Sequence, residues 1–178
     1  MKNKYGQVWL ETVLYTLVGL VLIGIVLTFI TPKIKEKQDQ ITVQQALESL
    51  RSIDERVRIE PGNTREIFVT SKRGQLEIKS IDNEIAFYFD DLSKAYSELD
   101  SAIRWDDRTR LLSKKLQKGY SLTAWIEYGQ AYNITYNGNK EDKIFTSATT
   151  AYRLQISNLG DLNGDGKYEI KIRESSGS

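Results

Sequence analysis

A hydrophobic run near the N-terminus decides most of what this chain can be. From Val13 to Ile30 the sequence carries no formal charge, and with Val8 to Leu10 in front the run covers about 30 Å of hydrocarbon when coiled as a helix. That is membrane length. A secretory signal peptide has a shorter apolar core, roughly 7 to 15 residues, followed by small residues at the cleavage site. Here Thr31-Pro32-Lys33-Ile34-Lys35 follows, so cleavage behind the run is not expected. One acid, Glu11, stands near the start of the segment. A carboxylate inside a membrane segment costs a few kcal/mol on insertion scales, which makes Glu11 a candidate functional residue in need of a partner.

In front of the run, Lys2 and Lys4 lead into Tyr5-Gly6-Gln7, and Glu11 is fifth in a chain counted from Gln7. A short basic leader ending in Gly, ahead of a hydrophobic segment with Glu at that place, resembles a type IV prepilin signal. Bacterial members usually begin the mature chain with Phe; Gln at that position resembles the archaeal pilin-like branch. The motif covers about residues 2 to 31. The resemblance implies that a membrane peptidase cuts after Gly6 and that Gln7 becomes the new N-terminus. It also implies that Glu11 faces a neighbouring subunit's terminal amine, in a filament whose core is a bundle of these helices. An unpaired carboxylate in such a low-dielectric core is costly, and the released amine next door is a suitable cation. The same pair would set axial register. The other reading is an ordinary signal anchor, with Glu11 close to the lipid headgroups.

Chain length allows one globular domain besides the helix. From Lys33 onward acidic and basic residues balance, which argues against a nucleic-acid binder. Cysteine and histidine are both absent, removing disulfides, thiolate and imidazole metal sites and most nucleophile or general-base constellations. The ten Tyr, three Trp and five Phe suit an aromatic core or sticky contact surfaces. Lys33, Lys35 and Lys37 behind the run offset Lys2 and Lys4 in front of it, so charge bias does not orient the helix. The prepilin resemblance implies leader inside and bulk outside.

Pro32 should bend the helix without ending it. Beyond it Val43, Ala46, Leu47, Leu50, Ile53 and Val57 recur at spacings of three and four, an amphipathic continuation that should stop near Glu60 before Pro61-Gly62-Asn63. Packing on a globular head is one reading of this half; a membrane-proximal coiled coil is the other. From Thr64 the period becomes two. Ile67 and Val69, Leu76 and Ile78, then Ile85, Phe87 and Phe89 predict three antiparallel strands. Asp90 to Ile103 has helical spacing behind Asp caps and predicts a short helix. Arg104 to Arg110 reads as a charged surface loop with Trp105 partly buried beneath it or serving as a binding handle, and Leu111 to Lys118 fits a helical turn or a strand. Further alternating runs occupy Tyr120 to Tyr128, Tyr132 to Tyr136, Tyr152 to Ile156 and Tyr168 to Ile172, with a hairpin turn at Asn137-Gly138-Asn139. The predicted fold is α+β: a leader over 1–6, a core helix over 7–31, its amphipathic continuation over 32–60 and a β-rich, antiparallel, sandwich-like head over 61–178.

Two further motifs sit in the head. Asp161-Leu162-Asn163-Gly164-Asp165-Gly166-Lys167-Tyr168-Glu169 resembles the Asp-rich calcium loops between strands of secreted proteins. Oxygen side chains at positions 1, 3 and 5, Gly at 6 and a carboxylate at 9 suit Ca²⁺ held by Asp161, Asn163, Asp165, the Lys167 carbonyl and Glu169. Position 12 is Ile172, which cannot coordinate, and a metal-free hairpin turn is the competing reading. Asn133-Ile134-Thr135 is an N-glycosylation sequon. No catalytic constellation stands out, so an enzyme is not expected. The function expected is a structural subunit of a type IV pilus-like surface filament, made as a membrane precursor. Its partners would be copies of itself, a prepilin peptidase, an assembly platform and membrane lipid. The competing function is a single-span, membrane-anchored extracellular binding or sensor domain that does not polymerise; a minor pseudopilin lies between them.

Overall fold

The computed structural model describes residues 4–175, with side chains from Val8. It is α+β: one helix, α1 (Lys4–Val57), is followed by ten strands. The chain divides into two compact units, one ending at Gln38 and the other beginning at Asp39, so α1 contributes to both. Met1 to Asn3 of the expected leader lie outside the described residues, as do the side chains of Gly6 and Gln7. The backbone of Gly6 and Gln7 is already helical, and the helix runs through Pro32 without interruption.

In the first unit every large apolar side chain from Val8 to Ile30 is exposed. The stretch is long and apolar enough to cross a membrane. Its hydroxyls are satisfied within the helix: Thr12 donates to the Val8 carbonyl at 2.9 Å, Thr16 to Thr12 at 2.8 Å, Thr28 to Gly24 at 2.8 Å and Thr31 to Leu27 at 2.7 Å. Polar groups that bond their own backbone add little cost in lipid.

The second unit is a sandwich. Its four-stranded sheet has the order β1 (Thr64–Val69), β9 (Tyr152–Asn158), β10 (Tyr168–Glu174), β7 (Tyr132–Tyr136). The six-stranded sheet runs β4 (Ile103–Arg104), β5 (Thr109–Lys115), β6 (Tyr120–Glu127), β3 (Glu84–Leu92), β2 (Gln75–Lys79), β8 (Lys143–Phe145). Inward residues of both sheets and the stripe Val43, Ala46, Leu50, Ile53, Val57 of α1 share one buried core. This half of the helix therefore packs on the head and leaves no apolar stripe for a coiled-coil partner. Phe145 of β8 bridges the sheets, with ring centroids 6.0 Å from Tyr136 and 4.9 Å from Tyr152.

Three local expectations are corrected. The strands over 64–89 do not form one meander: β2 pairs with β3, but β1 crosses to the other sheet and pairs with β9. Strand β7 pairs in parallel with β10, an arrangement that alternation alone does not reveal. Asp90 to Ile103 is not a helix. Strand β3 runs to Leu92, and left-handed backbone at Asp91 (φ 50) and Asp100 (φ 57) interrupts any helical path. Ser113 then captures the segment: its Oγ accepts from the Tyr96 and Ser97 amides at 3.0 Å each, while its own amide donates to Ser97 Oγ at 2.7 Å. Leu111 to Lys115 consequently belongs to a strand. Trp105 is 56% exposed and is not covered by its loop.

Candidate functional site

The largest surface with an unmet physical demand is the apolar cylinder of α1 from Val8 to Ile30. Isoleucine, leucine and valine cover it on all sides, and α1 offers no polar face there that would suit water. Glu11 lies exposed within this surface. At Gly19 and Gly24 an added Cβ would meet nothing within the chain, so a second helix could approach the backbone closely at both places.

The Asp161 loop joins β9 to β10 and is built around one side chain. Asp161 Oδ1 accepts from the Gly164 amide at 2.7 Å and the Asp165 amide at 3.2 Å, and Oδ2 accepts from Gly166 at 3.0 Å. Asp165 Oδ1 accepts from the Lys167 amide at 3.0 Å. Gly164 and Gly166 take the positive φ values, 68° and 79°, that this winding requires. Glu169 points elsewhere: its Oε1 accepts from Asn163 Nδ2 at 3.0 Å and from Asn133 Nδ2 at 2.8 Å. Among the described residues no three acidic side chains gather into a group able to hold a metal. As folded, Asp161 and Asp165 cap amides of their own loop, and Glu169 ties Asn163 to Asn133.

Two motifs far apart in sequence meet at Glu169. Asn133 is only 8% exposed in β7, opposite Glu169 of β10. Its amide nitrogen, the atom a glycan would occupy, is the donor to Glu169. Asn133 thus serves as a cross-strand tie to the loop.

Sequence reasoning missed two buried aspartates on α1. Asp39 is fully buried; it is ion-paired with Arg73 and accepts the Ser93 amide at 2.7 Å. Arg73 also donates to the Asp91 carbonyl at 2.6 Å, tying α1 to the end of β3. Asp54, 5% exposed, receives Arg58 Nε at 2.9 and 3.1 Å and is paired with Arg108. Asp106 shapes the tight turn that presents Arg108, accepting the Arg108 and Thr109 amides at 2.8 and 2.6 Å. Burial alone would raise the Asp106 pKa; those amides and the Thr109 hydroxyl hold it below the usual carboxylate value instead. Burial, reinforced by the charge of Asp54, pushes the Tyr128 hydroxyl well above its ordinary range. A signal for both aspartates exists, because each falls on or beside the apolar stripe of the amphipathic half. A charge at a core position implies a partner.

No family model matches the chain, and neither a comparison with curated proteins nor one with solved structures returns a match.

Proposed function

We propose that this chain is the structural subunit of a type IV pilus-like surface filament. It is held in the membrane as a precursor, cut between Gly6 and Gln7 by a prepilin peptidase, and drawn by an assembly platform into a polymer of copies of itself. The observation that carries the reading is the fully exposed apolar surface of α1 from Val8 to Ile30, joined to a head that has already buried its own core. Such a surface needs lipid or protein around it, and a bundle of identical helices supplies the second. Association in that setting is driven by close packing among small and aliphatic side chains. Glu11 is the acid within that surface, and in a bundle of these helices it would face a neighbour's freed amine.

Intact-mass spectrometry with N-terminal peptide mapping on protein from its native host tests the reading. A chain beginning at Gln7, or at its cyclised form, is the expected result. Retention of Lys2 and Lys4 would favour a single-span anchored head, for which the same helix is long enough. Glu11→Ala should leave processing intact and reduce filaments seen by electron microscopy; normal filaments from that variant would sink the register role.

A further inference from the structure

The outward face of the six-stranded sheet carries a tryptophan, Trp125. Trp125 of β6 stands in register between Arg110 of β5 and Ala86 of β3. Ala86 points to this same face, because Ile85 and Phe87 on either side of it point into the core, yet it has 0% exposure. The indole of Trp125 is half-buried there, and its Nε1 donates to Glu127 Oε1 at 3.1 Å.

A cleft of about 820 Å³ opens beside this ring, between the Arg104 to Arg110 hairpin and the Tyr128 to Tyr132 turn. That volume is in the range of small-molecule sites. Its walls interleave cations and anions: Arg104, Arg108 and Arg110 face Glu84, Asp107 and Glu127. The buried side chain of Tyr128 is also in the wall.

We infer that this cleft binds a saccharide ring stacked on Trp125. A pyranose has one apolar C–H face, which suits an aromatic platform, and a belt of hydroxyls that each donate and accept. A wall offering both guanidinium donors and carboxylate acceptors satisfies such a belt with charge-assisted hydrogen bonds. The balance of charge gives no net field to draw in a phosphate or a nucleic acid, and an apolar ligand would leave these charges without water. The inference does not rest on the filament proposal, since an anchored monomer would present the same cleft.

The test is saturation-transfer NMR on the full chain, held in a zwitterionic detergent without a sugar headgroup. The probes are methyl glycosides of glucose, galactose and mannose, N-acetylglucosamine and glucuronate, each at about 10 mM, a level that detects millimolar affinity. At least one sugar should receive saturation, strongest at the protons of one ring face. Trp125→Leu, which keeps an apolar side chain but has no aromatic face, should weaken binding about tenfold or more with an unchanged circular dichroism spectrum. Trp105→Leu should leave binding as it was. Absence of transfer to every sugar overturns the inference, and so does transfer that survives Trp125→Leu. Binding of glucuronate alone, lost in Arg110→Ala and kept in Trp125→Leu, would make the cleft an anion site and equally overturn it.

Discussion

Between Val8 and Ile30 helix α1 turns its leucines, isoleucines and valines outward, whereas between Asp39 and Val57 it turns a similar set inward, along with two aspartates. One helix thus follows two rules. In the first region the residues circle the axis, so the surroundings must be apolar on all sides. In the second they form a stripe, so one side is core and the other is water. The two regions also treat charge differently. The head surrounds Asp39 and Asp54 with guanidinium groups and amides from its own chain, while Glu11 sits exposed among apolar side chains. Burial of a charge is therefore a property of the partner supplied, not of the helix that carries it.

The sharpest way to break this contrast is to make the same change in both regions. Leu50→Ala should destabilise the head by about 4 kcal/mol through lost burial and a residual cavity, read as the urea midpoint of the full chain in detergent. Leu17→Ala should leave that midpoint in place. An equal loss in both would mean that the exposed surface supports the head's fold after all.

Next in size is the charge. Asp54→Ala should cost about 3 kcal/mol, because it strips the partner from Arg58 and Arg108 where neither is fully in water. Adding Arg108→Ala to it should then cost less than Arg108→Ala alone, a coupling that a double-mutant cycle measures. Full additivity would remove the clamp.

A smaller effect of about 1 kcal/mol is expected for Asp161→Ala, which leaves the Gly164 and Gly166 amides to water. Melting curves with and without Ca²⁺ should show the same loss. A loss confined to Ca²⁺-containing buffer would establish a metal site in this loop.

The smallest prediction concerns pH. Burial, together with nearby Asp82, Glu127 and Glu77, raises the Glu84 pKa above its ordinary value despite the opposing pull of Lys79. A carboxylate so shifted contributes stability below the unfolded value, and that contribution is lost as pH rises through the folded one. Glu84→Gln should therefore raise the melting temperature slightly at pH 7 and do nothing at pH 3. A gain at both pH values would point to packing rather than ionisation.

Much of this architecture is legible in the sequence because it depends on period. Val43 to Val57 announces a stripe, and Ile85, Phe87 and Phe89 announce a strand. What period cannot convey is which strand a strand will meet. The crossing of β1 to β9 and the parallel pairing of β7 with β10 rest on contacts remote in sequence. Asp90 to Ile103 misled for a local reason, since helical spacing is outweighed by the hydrogen bonds of one serine, Ser113, in the neighbouring strand. At the Asp161 loop the residue types were plain, but not that Glu169 would turn to Asn133.

The Asp39–Arg73 and Asp54–Arg108 pairs join positions 34 and 54 residues apart, in a chain with no cysteine. Each ties distant segments together only once the head has folded, and it leaves unconstrained the open chain that a disulfide would restrict. Unlike a disulfide, such a cross-link forms without an oxidant and survives a reductant. The fold of the head therefore does not depend on the redox state of its surroundings.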